Sequence, residues 1–388
     1  MPRILLSAAF FALTGLADAA SAKPAPLLTP TATTSQLPRN VRPSHYAVST
    51  TPDKAASSFT AQVVISIDVL APTSTITLNA AELTFNSASL LAANANTSPD
   101  PARISLDADN ETATFTFAHP ISRGKYRLAL NYTGLIGTQA AGLFSLDYEV
   151  AGVRQRALYT QFENSDARRV IASWDEPAYK ATFALEVNLP GDEVAVSNMP
   201  IEQSTPQPGG RKLVRFAQSP TMSTYLLFYG QGNFERASVR VGATELGLIT
   251  KPGVLPQGQF SLEASAAVLR EYNDYFGLPF PLPKLDNIAA PGRSQFFGAM
   301  ENWGAIFTFE YGLLLDPAIS TQLDKQRVFT FAAHEIAHQW FGDLVTMQWW
   351  DDLWLNEGFA SWMEGRTTAL LHPEWHTALA SSIRASAP

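Results

Sequence analysis

At 388 residues the chain is long enough for two or three domains, each with its own buried core. Hydrophobic residues at 46% and charged residues at 16% exclude a disordered or fibrous chain. A net charge of -8 argues against non-specific nucleic-acid binding, which needs a basic face, and the absence of cysteine excludes disulfides and cysteine-linked acyl anchors.

The first element is an apolar run over residues 4–16 behind Arg3, followed by small residues at Ala17-Asp18-Ala19 and Ala20-Ser21-Ala22. This pattern predicts a secretory signal over residues 1–22, because a membrane-spanning helix needs about 20 apolar residues. The mature chain is therefore expected in the periplasm or the medium, with no membrane anchor once the signal is cleaved. Residues 23–37 are rich in Pro, Thr and Ala and read as a flexible tether.

From residue 38 to 245 the pattern is that of strands. Val63, Ile65, Ile67 and Val69 alternate with more polar neighbours, as do Tyr126, Leu128, Leu130 and Tyr132, and Phe183, Leu185 and Val187. Period-two alternation interrupted by Pro and Gly predicts an antiparallel β domain. Residues 246–388 change character, with helices predicted over 262–275, 323–341 and 352–370. The fold class is α+β, a β-rich domain followed by an α-rich one.

His334-Glu335-Ile336-Ala337-His338 falls on the second of these helices. Residues four apart on a helix are offset by about 40° and roughly 6 Å along the axis, so both imidazoles can face one ion. Glu335 lies beside that line and can reach a water on the metal. Zinc takes nitrogen ligands, and a catalytic site supplies three protein ligands and leaves a position open. Gly342 is a candidate end for this helix in the left-handed conformation, and Asp351 and Asp352 are candidate caps for the next. That next helix carries Glu357, which a helix-turn-helix returns towards the two histidines as third ligand.

The segment HEIAHQWFGDLVTMQWWDDLWLNEGFASWME resembles the zinc segment of the aminopeptidase N family, with residues 339–356 between the second histidine and the glutamate. Thermolysin-type endopeptidases share the two-histidine helix but use a slightly different spacing. The resemblance implies an incomplete thermolysin-like domain holding one Zn2+ on His334, His338 and Glu357, with Glu335 as general base. Gly298-Ala299-Met300-Glu301-Asn302 is similar to that family's exopeptidase marker. It implies an edge strand that pairs with the substrate backbone and a glutamate, Glu301, that grips the free α-amine. The block TQFENSDARRVIASWDEPAYKATF matches at the family's second amine contact and implies Gln161 and Glu163 as partners. Asp175, Glu176, Lys180, Arg168 and Arg169 in that block read as structural ion pairs. Residues 37–53 and 276–292 extend the resemblance over essentially everything after the tether. The activity implied is hydrolysis of N-terminal residues from peptides with a free amine.

One part of the pattern is missing. The family places an oxyanion tyrosine several tens of residues past the third ligand, whereas the last tyrosine here is Tyr311. The sequence ends at Pro388 and reads as C-terminally truncated. A truncated, non-catalytic zinc- or peptide-binding protein is the alternative to the enzyme. An epoxide-hydrolysing relative on the same scaffold ranks below both, since nothing in the sequence points to a lipid pocket.

Overall fold

The computed structural model describes residues 36–93, 98–295 and 297–377. The predicted signal and all but the last two residues of the tether lie outside the described residues.

Val63, Ile65, Ile67 and Val69 are all buried, while Thr60, Gln62 and Val64 face outward. This strand, Ser58–Val69, sits within an eight-stranded sheet between Val41–Asp53 and Gly124–Leu135, paired antiparallel to both. Four more strands are antiparallel within the sheet. The exception is Thr182–Pro190, which runs parallel to Val41–Asp53. A four-stranded sheet holds the strand Val153–Gln161 in its interior, between Tyr229–Gly232 and Gly142–Val150, and Gln161 is the strand's last residue, with Glu163 just beyond it. A three-stranded sheet built on Thr73–Asn79 completes the β-rich half.

A five-stranded sheet begins at Glu235, so the hairpin of Glu235–Val241 and Thr244–Thr250 straddles residue 245 and belongs with the α-rich half. Thr244–Thr250, Lys284–Ala290 and Ala305–Phe309 run parallel. Lys284–Ala290 is buried at every position, as a parallel strand covered on both faces must be. The last strand, Ala299–Met300, pairs antiparallel with Phe307 and Thr308 and forms the sheet's edge.

The described residues include three helices, α1 (Gln259–Phe276) and α2 (Gln322–His338), which touch this sheet, and α3 (Leu353–Leu371), which packs on α2. α1 ends at Gly277, which adopts φ +62 as a left-handed cap. α2 begins at a capping box, in which the Thr321 hydroxyl accepts from Asp324 N–H and the Asp324 carboxylate accepts from Thr321 N–H. The aromatic rings of Phe276, Trp340, Phe341 and Phe359 stack where the three helices converge. Among the described residues no helix is long and apolar enough to cross a membrane.

Two predicted end signals act differently. α2 stops at His338, before Gly342, and its C-cap is Gln339 in the right-handed region. Gly342 has φ +142, and a Cβ there would stand 3.2 Å from His338 Nδ1, so the glycine is needed for close approach to a ligand. Asp352 occupies the N-cap of α3 but makes no side-chain cap hydrogen bond, and Asp351 lies in the short 3-10 turn before it.

Candidate metal centre and amine pocket

Packing α3 against α2 brings three donor atoms together. His338 Nε2 lies 3.1 Å from His334 Nε2, and Glu357 Oε2 lies 3.2 Å from His334 Nε2 and 3.6 Å from His338 Nε2. Tetrahedral ligands at 2.0–2.1 Å from one zinc stand roughly 3.3 Å apart, so the three atoms fit the vertices around a single ion. The other ring nitrogens settle the tautomers. His338 Nδ1 donates to the Phe341 carbonyl at 3.0 Å, and His334 Nδ1 donates to Glu364 Oε2 at 3.2 Å. Both Nε2 lone pairs are thereby turned towards the common point. Burial alone would lower the pKa of His334, but hydrogen bonds to Glu357 and Glu364 outweigh it and raise it to about 11. The same imidazoles hold the Glu357 carboxyl well below its ordinary range. An environment that attracts cations this strongly suits a divalent ion.

Glu335 is buried beside the cluster, and burial raises its pKa against the opposing pull of His334 and His338. The cleft over these residues has a volume of about 600 Å3, and Glu163, Gly298, Ala299 and Glu301 share its wall with the metal cluster. Met300 and Asn302 are buried and do not line it, while Gln161 lines a neighbouring cavity. Glu301 Oε1, Glu163 Oε1 and Gln161 Oε1 are buried without a hydrogen-bond partner among the described residues. Burial, then Glu335 and Glu357, pushes Glu301 up to about 8. Burial and the charge of Glu301 raise Glu163 well above the usual carboxylate range. Buried acceptors in this state lack a cation, and an ammonium with three donors matches them.

The marker strand is held tightly. A Cβ on Gly298 would lie 2.6 Å from the Phe331 ring and 3.0 Å from the Tyr311 hydroxyl, so no larger residue fits. Gln339, fully buried, donates to the Glu301 carbonyl at 2.8 Å and accepts from Gly304 N–H at 3.0 Å. It therefore ties the backbone of Glu301 to the C-terminal end of α2. Sequence patterns single out neither Gln339 nor Glu364. Glu364 does lie seven residues past Glu357, two turns along the same face of α3, which is a usable signal. The expected ion pairs form as Arg168–Asp175 at 3.0 Å, Arg39–Glu176 at 2.8 Å and Arg169–Asp166 at 2.6 Å. Lys180 is the exception, since it donates to the backbone carbonyls of Asp343 and Leu344. No tyrosine lines the metal cleft among the described residues.

A two-histidine, one-glutamate centre with a buried acid–base carboxylate, set between two helices below a mixed sheet, defines a metallopeptidase type of site. Residues 42–226 match the Peptidase M1 N-terminal domain and residues 260–387 match the Peptidase family M1 domain. Aminopeptidase N of Acetobacter pasteurianus is 44% identical over 329 residues, covering 84% of this chain and 91% of that protein. Aminopeptidase M1 of Arabidopsis thaliana is 40% identical over 343 residues, covering 88% of this chain and 39% of that one. Puromycin-sensitive aminopeptidase of Caenorhabditis elegans is 38% identical over 336 residues, 85% of this chain and 35% of that one. The chain belongs to peptidase family M1. It spans under two fifths of the length of the plant and nematode relatives.

Proposed function

We propose that the chain acts as a zinc-dependent aminopeptidase that hydrolyses single residues from the free N-terminus of peptides. The observation that carries this is the set of buried, unpartnered carboxylate oxygens of Glu163 and Glu301 on the same cleft wall as the histidine cluster. A site cutting internal bonds has no use for two buried carboxyl groups at that place, whereas a terminal ammonium can pair with both.

His334, His338 and Glu357 would hold the zinc ion, which when bound polarises the scissile carbonyl and lowers the pKa of water towards ~7. Glu301 and Glu163 bind the α-ammonium and so place the first peptide bond over the cluster. Glu335 takes the proton of the attacking water and passes it to the leaving amine. Its raised pKa suits both halves of that task. The edge strand Ala299–Met300 has a free side on which an extended substrate backbone can align. The apolar run over residues 4–16 supports export of the chain, and cell fractionation tests it.

The decisive experiment compares aminoacyl-anilides with their N-acetylated counterparts on zinc-loaded protein. Release from the free-amine substrates alone is expected, and Glu335→Ala should cut turnover by about 10²–10⁴ while leaving one zinc per chain. Internal cleavage of blocked peptides would remove the exopeptidase assignment. The absence of a tyrosine from the described cleft wall favours a second reading, a non-catalytic zinc- or peptide-binding protein. One oxyanion donor is worth about 10²–10³ in turnover. One bound zinc with no turnover, unaffected by Glu335→Ala, would establish that second reading.

A further inference from the structure

Beyond Glu163 lies a second cavity of about 790 Å3, separate from the metal cleft. The two meet at Glu163 and Phe297, which line both. The second cavity includes no residue of the metal cluster. With the α-ammonium on Glu163 and Glu301 and the first carbonyl at the cluster, the rest of the peptide departs on the cluster side. Nothing precedes the first residue of an aminopeptidase substrate. Only its side chain can enter the space past Glu163.

Leu146, Phe297 and Phe309 give this cavity an apolar surface for methylene groups. Its charges are unevenly committed. Asp166, on the same wall, is held by Arg169 at 2.6 Å. Arg293 is the one cation among the described residues lining the cavity, and it makes no ion pair or hydrogen bond with them. The available charge is therefore positive. Guanidinium groups pair with carboxylates through two parallel hydrogen bonds, and they repel ammonium groups.

We propose that this cavity receives the side chain of the substrate's first residue and that Arg293 makes it select acidic side chains over basic ones. The inference rests on the aminopeptidase reading above and names its substrate class. Zinc-loaded protein should cleave glutamyl-anilide with a kcat/KM at least tenfold above that for lysyl-anilide. Arg293→Ala should bring the ratio to within about twofold of unity, and Arg293→Glu should reverse it. Binding provides a readout that does not require turnover. Calorimetric titration of zinc-loaded Glu335→Gln protein with Glu-Ala and Lys-Ala should show the same preference and the same dependence on Arg293. Absence of turnover on every anilide would strike the aminopeptidase reading, and the dipeptide titrations would still decide this one. A Glu-to-Lys ratio that Arg293→Ala leaves unchanged, in turnover or in binding, overturns it.

Discussion

Glu301 keeps one oxygen that no donor among the described residues reaches. Burial and the neighbouring carboxylates raise its pKa to about 8, so near neutral pH a proton competes with the ammonium for this carboxylate. Amine binding must then expel that proton, and it grows tighter as pH climbs towards 8. The kcat/KM for a free-amine substrate should rise between pH 6 and 8, and Glu301→Gln should flatten the rise. An unaltered slope in that variant would assign the titration elsewhere. The charge pair Arg168–Asp175 is a contrasting case, its carboxylate buried and fully engaged, with Asp175 also accepting from the Thr224 hydroxyl at 3.0 Å. Arg168→Met leaves the carboxylate stranded and should cost about 3–5 kcal/mol in urea unfolding. The grouping of His334, His338 and Glu357, with Glu163 and Glu301 on the same cleft wall, is legible in the sequence because a helix fixes the histidine spacing and the motif blocks carry the carboxylates. Glu364 and Gln339 are not, since their roles depend on which side chain α3 packs beside and which carbonyl the marker strand presents.

Elements are readable where one periodicity rules. Ser58–Val69 buries alternate residues, and the three helices lie within a few residues of their predicted spans. Long-range pairing is not readable, because parallel partners such as Val41–Asp53 and Thr182–Pro190 are far apart in sequence and carry no turn signal. End signals are partly misleading. Gly342 reads as a helix stop, yet its real constraint is the space taken by His338. At the opposite end of α2 the capping box is local chemistry with a local consequence. Thr321→Ala should cost about 1 kcal/mol and speed amide exchange in the first turn of α2, without altering metal content. Equal exchange in both proteins would show that packing alone holds that turn.

At the scale of the molecule, a metal ion on His334, His338 and Glu357 would cross-link α2 and α3, which also pack directly against each other. Zinc bound to the folded chain and not to the unfolded one stabilises by mass action, about 4 kcal/mol at a thousandfold excess over Kd. Chelation should therefore lower Tm by several degrees. His334→Ala protein should melt at one temperature with or without chelator. A chelator effect that persists in His334→Ala would place the stabilising ion elsewhere.

Gln339 comes directly after His338 and holds the backbone at both Glu301 and Gly304. In the proposed aminopeptidase it would be the rigid bridge of a caliper, with the histidines as one jaw and Glu301 as the other. The opening of such a tool is set by covalent geometry and two hydrogen bonds, so it stays the same whatever side chain the substrate presents. The number of residues removed per cut would then be fixed by this frame, and only the rate by the side chain the neighbouring cavity receives.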